Sequence, residues 1–181
     1  ANQMVRTVQS LRISNGCSDT EISFERSPFD GSDTNYVNAN APSDFSCHIF
    51  HSEGGALPYR APPEGSSTDT EWFIGVNKVS KFNDTQQVGT SEQDLTLILR
   101  FVNNNLCDSI NDKANGYDVW ESGAAHNGSI STINAFDGGY SGAGAINRGN
   151  LETPLIVCFC DTSGACTDAS QRYFYQVLLA R

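Results

Sequence analysis

One segment of the chain has the glycine spacing of a serine nucleophile. Residues 139–143 read GYSGA, which approaches the G-x-S-x-G turn that exposes a serine hydroxyl at the end of a strand. The fifth position is Ala143, however, and no clear helix follows to complete the turn. His126 is the only nearby base in sequence. A flexible glycine loop is the better interpretation, and we expect the chain not to be an enzyme.

Two histidines, His48 and His51, have a spacing that could bind a metal from one face of a helix. The surrounding residues 45–50 have the composition of a strand, in which positions i and i+3 point to opposite faces. We therefore expect the two side chains to be separate, with one of them packed or hydrogen-bonded.

Acidic and amide side chains crowd a second region, where Asp112, Asn115 and Asp118 lie between Asp108 and Glu121. Oxygen ligands in a loop are what calcium prefers. The spacing does not match the D-x-[DN]-x-[DN]-G pattern of known calcium loops, so solvated acidic residues are the simpler interpretation. Calcium stays a weak hypothesis here, and no other cofactor is indicated.

Six cysteines accompany a single methionine, and their even number is typical of an exported, oxidised protein. Zinc bound by Cys158, Cys160 and Cys166 is the alternative, but their spacing lacks the paired C-x2-C pattern. Residues 161–164 read as a turn that would place Cys160 and Cys166 on facing sides of a hairpin. The remaining pairs would be Cys17 with Cys47 and Cys107 with Cys158. Many other pairings are possible.

Length, charge and hydropathy exclude several classes of protein. A chain of 181 residues fits one domain, predicted to span residues 1–181. The net charge of −10, without a basic cluster, disfavours nucleic acid as a partner. No apolar run reaches the length of a membrane span, and no targeting signal is present in the sequence as given.

The chain opens on an amphipathic helix, predicted over residues 1–13. Met4, Val8 and Leu11 recur on one face with Val5 beside them, while the rest of the segment is polar. The Asn-Gly pair at 15–16 is a plausible stop, because both residues tolerate a positive φ.

The rest of the chain is rich in strands. Half-buried or apolar strands are predicted at 21–25, 45–50, 72–79, 155–160 and 173–179, the last two as antiparallel partners. Long loops are predicted at 26–44 and 117–150.

A second helix is predicted over residues 91–115. Ser91 is a candidate cap, and apolar residues recur along one face of the segment before Gly116 ends it. The predicted fold class is α+β: the opening helix packs along an antiparallel sheet, with this second helix inserted and the loops joined by disulfides.

Three segments resemble bacterial type IV pilin-like (prepilin-type) proteins, a group that includes the pseudopilins of type II secretion. They are FSCHIFH at 45–51 with the two glycines at 54–55, LCDSINDK at 106–113, and YFYQVLLAR at 173–181. The resemblance covers most of the chain from residue 45 onward. The characteristic leader and the apolar helix half with its glutamate are not in the sequence as given.

The resemblance implies a structural subunit without an active site. Such subunits have a long N-terminal helix whose apolar half is anchored in the inner membrane before assembly and is buried in a periplasmic or cell-surface filament afterwards. Residues 1–13 would then be the second half of this helix. Other subunits would be the partners, contacted through Met4, Val5, Val8 and Leu11, and the loops would face outward. A disulfide loop near the C-terminus is usual in pilins, and Cys160 with Cys166, or Cys107 with Cys158, would form it.

The alternative from a different class is a free secreted module that binds a sugar or a surface partner. Tyr36, Tyr59, Tyr117 and Trp120 could form its contact patch, with or without calcium, although anchoring of the core or loops is the more common use of such residues.

Overall fold

The computed structural model describes residues 1–80, 87–115, 128–130, 134–141, 144–148, 155–160 and 172–181. These residues form two helices and seven strands of an α+β fold, which confirms the predicted class. The elements in chain order are α1 (Asn2–Ser14), β1 (Phe73–Ser80), β2 (Asp94–Arg100), α2 (Asn104–Asn115), β3 (Gly128–Ile130), β4 (Asn134–Ala135), β5 (Ala145–Arg148), β6 (Ile156–Cys160) and β7 (Arg172–Leu179).

The strands form one sheet in the order β3-β5-β1-β2-β7-β6, and β4 pairs with β1 outside this path. The pairing is antiparallel between β1 and β2, β2 and β7, β6 and β7, and β3 and β5. Strands β1 and β5 are parallel. The strands predicted at 72–79, 155–160 and 173–179 are thus present, and the last two are antiparallel neighbours as expected.

Strand β2 is the correction to the predicted second helix. Residues 94–99 are all buried, because β2 lies between β1 and β7 in the sheet. Its run of leucine and isoleucine matches a helix face and equally matches a strand covered on both sides, so periodicity alone cannot separate the two. The predicted helix 91–115 is therefore wrong over its first half, and Ser91 is not its cap.

The helix that does form, α2, begins after a sharp change of backbone direction at Phe101, whose φ is 58°. Asn103 caps it: the Asn103 Oδ1 accepts a hydrogen bond of 2.9 Å from the Leu106 N–H. The disulfide between Cys107 and Cys158 ties α2 to strand β6.

Asn111 of α2 protects the edge of the sheet. Its side chain is fully buried, and its amide group bonds both backbone groups of Cys158 in β6. Asn111 Nδ2 donates to the Cys158 carbonyl at 2.9 Å, and the Cys158 N–H donates to Asn111 Oδ1 at 2.9 Å. The amide therefore pairs with β6 as a further strand would, which blocks pairing with another chain at this position.

Replacing Asn111 with leucine is expected to destabilise the protein by about 2 to 4 kcal/mol, because it leaves a buried N–H and a buried C=O of Cys158 unpaired. Urea unfolding measures the change. The matched control is Ser109→Ala on the same helix, whose exposed hydroxyl bonds only the Asn105 carbonyl and should cost less than 1 kcal/mol. Equal losses in the two variants would contradict the assigned role of Asn111.

The chain divides into two compact units. The first comprises residues 1–60 and 135–141, and the second comprises residues 61–134 and 142–181. Helix α1 belongs to the first unit and the principal strands of the sheet to the second, and the expected packing of α1 along the sheet stays a prediction. A single domain over residues 1–181 stays a prediction. No helix among the described residues is long and apolar enough to cross a membrane.

The first unit consists of α1 and a succession of turns. The strands predicted at 21–25 and 45–50 are absent from it: only one parallel bridge joins Ser23 to His48. Phe45, with a φ of 62°, starts a turn, and the buried run from Ile22 to Glu25 does not alternate as a half-buried strand would. The strand-like sequence pattern of these two segments therefore does not correspond to strands.

Candidate functional site

Helix α1 confirms the predicted opening helix and extends it to Ser14. Met4, Val8 and Leu11 are buried, and Val5 is half-buried. The opposite face is exposed and ends in Ile13, which is 84% exposed. The helix is therefore bound to the body of the protein along one stripe and open to solvent along the other.

The C-terminal end of α1 is fixed by several bonds. The N–H groups of Asn15 and Cys17 both donate to the Leu11 carbonyl, and Gly16 between them has a φ of 72°. Asn15 Nδ2 donates to the Ser46 carbonyl at 2.7 Å. The disulfide from Cys17 to Cys47 then joins α1 covalently to the next turn region, with Cα atoms 5.8 Å apart. The position of the helix end is thus set by covalent and polar contacts together.

The disulfides between Cys17 and Cys47 and between Cys107 and Cys158 agree with two of the suggested pairs. Cys160 is also disulfide-bonded, while its suggested partner, Cys166, lies outside the described residues. Cys158 and Cys160 therefore offer no free thiolate for the alternative zinc site.

An open groove of about 600 Å³ runs beside the last turns of α1. It is lined by Gln9, Arg12, Ile13 and residues 17–20. The Arg12 Nε and a carboxylate oxygen of Asp19, two of these lining residues, are 2.7 Å apart. Both side chains are partly exposed, so this ion pair orients the groove wall rather than adding much stability.

His48 and His51 lie together, contrary to the expectation that they are separate, because residues 45–55 form turns rather than a strand. The His51 ring stacks on Phe45 with centroids 4.3 Å apart, and Phe45 also meets the His48 ring edge-on at 5.0 Å. Phe29 contacts both histidine rings. His48 is buried, as expected for one of the pair, and His51 is half-buried.

Glu25 is the buried acid next to His48. It is 6% exposed, and its Oε2 lies 3.7 Å from His48 Nε2. Glu25 Oε1 accepts a 2.7 Å hydrogen bond from the Gly31 N–H. Burial lowers the pKa of His48 below its ordinary value, His51 lowers it further, and the charges of Glu25 and Asp44 oppose the shift. Burial therefore favours the neutral form of this histidine over the charged one.

Two glycines allow the turns that carry the histidines to pack closely. A side chain at Gly54 would overlap the His48 carbonyl and lie 2.7 Å from the Phe45 carbonyl. One at Gly55 would overlap the Thr7 methyl group of α1. Glycine is therefore required at position 54, where two of these turns pack on each other, and at position 55, where the turns pack on α1.

The serine segment shows no catalytic arrangement among the residues that the structure describes. Ser141 is exposed, and the Gly139 N–H donates to Asp137 Oδ1 at 3.0 Å. Positions 142–143 and the candidate base His126 lie outside the described residues.

The calcium hypothesis receives no support from the described part of the chain. Asp112 is exposed in the last turn of α2, Asn115 ends that helix, and Asp118 lies outside the described residues. No group of three or more histidine, cysteine, aspartate or glutamate side chains is arranged to hold a metal ion within the described ranges.

Tyr36 and Tyr59 serve as anchors rather than as an exposed patch. The Arg26 guanidinium lies over both rings, 5.8 Å from the Tyr36 centroid and 5.2 Å from that of Tyr59. Arg26 also forms a two-pronged ion pair with Asp33, whose closest N–O distance is 2.7 Å. The other two aromatic candidates, Tyr117 and Trp120, lie outside the described residues.

Asp94 is a buried acid in the second unit that the sequence did not reveal. It has no exposed surface; its Oδ1 accepts from the Arg181 N–H at 3.1 Å and its Oδ2 from the Val79 N–H at 3.3 Å. Burial raises the pKa of Asp94 to about 6, against the opposing effects of these hydrogen bonds and the Arg181 charge. A helix over residues 91–115 would instead place Asp94 in its first turn, where the helix dipole favours an acidic residue.

Neither the models of known protein families, nor curated proteins, nor solved structures give a match to this chain.

Proposed function

We propose that this chain is the exported globular part of a type IV pilin-like or type II secretion pseudopilin subunit, and that it works by assembly into a filament rather than by catalysis. The observation that carries the proposal is α1, an amphipathic helix buried along one stripe and exposed along the other. The sequence resemblance at 45–51, 106–113 and 173–181 supports it.

The burial of α1 refines which residues would contact another subunit. Met4, Val8 and Leu11 are already covered by the protein's own residues, so they position the helix. The contact with a neighbouring subunit is assigned instead to the exposed face, which presents Gln9 and Ile13. An isoleucine this exposed loses unfavourable hydration when a second helix covers it, which favours association.

Besides an exposed contact face, a filament subunit needs a helix α1 that is held rigidly. A helix that carries the load between subunits must keep its orientation relative to the surface it displays. The bond from Asn15 to Ser46 and the disulfide from Cys17 to Cys47 provide this constraint. The turns of residues 26–60 would then be displayed at a fixed angle to the filament axis.

Export fits the oxidised cysteines, because disulfides persist outside the reducing cytosol. In the proposed function, the subunit is anchored in the inner membrane through an apolar segment preceding Ala1 and later enters a periplasmic or surface filament.

Site-specific photocrosslinking in cells that produce the full-length protein tests the proposal. A photoreactive residue at Gln9 or Ile13 should give ladders of crosslinked subunits, because the exposed face of α1 meets the next copy. Glu64, exposed in the second unit, is the control position and should crosslink much less. A protein recovered only as free monomer, without crosslinks from either α1 position, would contradict the proposal.

The gene upstream of the codon for Ala1 provides an independent test. A basic leader followed by roughly twenty apolar residues, the length of a membrane-spanning helix, supports a pilin-like subunit. An ordinary signal peptide cleaved directly before Ala1 contradicts it.

A free secreted binding module is the second candidate, and one observation favours it. The rings of Phe29, Phe45 and His51 form a half-buried cluster that could contact a sugar or protein surface. A glycan array tests the sugar form of this idea. Its calcium-dependent form requires a loss of thermal stability on chelation.

A further inference from the structure

The buried pair of Glu25 and His48 has an incomplete set of hydrogen bonds. Glu25 is 6% exposed and His48 is 5% exposed. The nearest approach of their side chains is 3.7 Å, from Nε2 to Oε2, which is longer than a normal hydrogen bond. His48 Nδ1 is buried and has no hydrogen-bond partner among the described residues. A neutral imidazole tolerates this arrangement better than a charged one, which must donate from both nitrogens.

We propose that this pair is a pH-sensitive switch: when His48 takes up a proton in mildly acidic surroundings, the turns of residues 45–55 open locally, while the disulfide from Cys47 to Cys17 keeps them tethered to the end of α1. This inference is independent of the filament proposal, because it concerns only the internal contacts of the first unit.

The groups that face His48 act in both directions. Glu25 and Asp44 favour the imidazolium, whereas burial and the neighbouring His51 disfavour it. Burial is the largest of these effects, so the pKa of folded His48 lies below its ordinary value of 6.5. An unfolded or locally opened chain then binds the proton more tightly than the closed one. Stability of the closed state is complete above pH 6.5 and is lost as pH falls towards the folded pKa.

The contacts around His48 explain why its protonation would open a whole segment. The Ser23 N–H donates to the Cys47 carbonyl at 3.0 Å, and the Ile49 N–H donates to the Ser23 carbonyl at 2.9 Å. His48 thus lies between the two bonds that join this segment to residue 23. The Gly55 N–H donates to the His48 carbonyl at 2.8 Å. If the protonated ring moves outward to water, the backbone of His48 moves with it. This movement strains the two hydrogen bonds to residue 23 and the bond from Gly55.

Opening would also change the surface of the protein. Phe45 and His51 are half-buried and stack on each other next to His48. Opening of the segment exposes these rings and Phe29, which contacts both histidines. The switch would therefore present an aromatic surface in acid that is partly covered at neutral pH.

Amide hydrogen exchange followed by mass spectrometry, at pH 7.5, 6.5, 5.5 and 5.0 and corrected for intrinsic rates, tests the switch. We expect protection of residues 45–55 to fall by up to tenfold for each pH unit below 6.5, until the folded pKa is reached. Protection of β2 in the second unit should not fall in parallel. Constant protection of residues 45–55 across this range would overturn the proposal.

Variants identify the histidine responsible. His48→Gln should abolish the pH dependence of protection at 45–55, because glutamine fills a similar space without titrating. His51→Gln, the matched control, should retain most of it. The opposite pattern, with the dependence lost in His51→Gln and kept in His48→Gln, overturns the assignment.

NMR titration of the wild-type His48 ring requires no substitution and remains decisive if the His48→Gln variant does not fold. The ring should titrate below 6.5, and a midpoint above 6.5 would also overturn the proposal.

Discussion

Replacing both Cys17 and Cys47 with serine is expected to lower the free energy of unfolding by about 3 to 4 kcal/mol. The bridge spans 30 residues, and chain-entropy estimates for a closed loop of this length give a loss of this size. The double replacement avoids a leftover reactive thiol. Urea unfolding under non-reducing conditions gives the change, and it should be accompanied by weaker amide protection in α1, whose end the bridge fixes.

The matched control is the double variant Cys107→Ser with Cys158→Ser, which removes a bridge of 51 residues from the second unit. Its overall loss should be similar or slightly larger, but amide protection should fall in α2 and β6 instead of α1. If both variants loosen the same segments, the bridges do not act on separate parts of the fold. If the Cys17 and Cys47 variant retains full protection in α1, the disulfide does not hold the helix.

The same double variant connects stability to the proposed function. Loss of the bridge leaves Met4, Val8 and Leu11 to hold α1, with the Asn15 bond at its end. If α1 transmits load between subunits, crosslinks from Ile13 should weaken in this variant more than in the Cys107 and Cys158 control. The comparison separates a general loss of stability from a loss of helix orientation.

Patterns that depend on local spacing were predictable from the sequence. The stripe of Met4, Val8 and Leu11 fixes the buried face of α1, and residues 72–79 and 173–179 become strands as their apolar content indicates. The turns of the first unit were not predictable in the same way. Their positions depend on close approaches, of Gly54 to the Phe45 and His48 carbonyls within the same turns and of Gly55 to Thr7 of α1, which is distant in the chain. The spacing of apolar residues along a segment does not reveal such contacts.

The error at residues 91–115 has a physical cause that also hid the buried acid. A run of apolar residues covered on both sides has no alternation, so its helical spacing and its strand character are equally strong. The choice is made by the neighbouring strands, which supply the backbone partners of β2. Once β2 is a strand, Asp94 pairs in register with Asn77 and becomes buried instead of solvated.

Because of Asp94, we expect the free energy of unfolding of the second unit to fall as pH rises from 4 to 7. Its pKa is raised from 3.8 to about 6 in the folded chain. The folded state therefore holds the proton more tightly than the unfolded state. The favourable contribution is complete below pH 3.8 and is lost as pH rises through about 6, amounting to roughly 3 kcal/mol at 1.36 kcal/mol per pKa unit.

The substitution Asp94→Asn removes the titrating group. The stability of the second unit should then depend less steeply on pH, whether the variant is more or less stable overall. The absolute value is a poor readout, because an amide offers only one oxygen where the carboxylate accepts from both Val79 and Arg181. Asp69→Asn is a suitable control, since the Asp69 carboxylate is paired with Arg100 and partly exposed. A slope that survives in Asp94→Asn and vanishes in Asp69→Asn would contradict the assignment.

Asp94 and His48 change stability in opposite directions as pH falls, so the two units must be measured separately. Between pH 4 and 6.5, acid should strengthen the second unit through Asp94 and weaken the first through His48. A single melting temperature averages the two and can be nearly flat while both effects are large. Amide protection measured separately in β2 and in residues 45–55 should diverge as pH falls, with β2 rising and residues 45–55 falling. Parallel changes in the two segments would show that neither group acts locally.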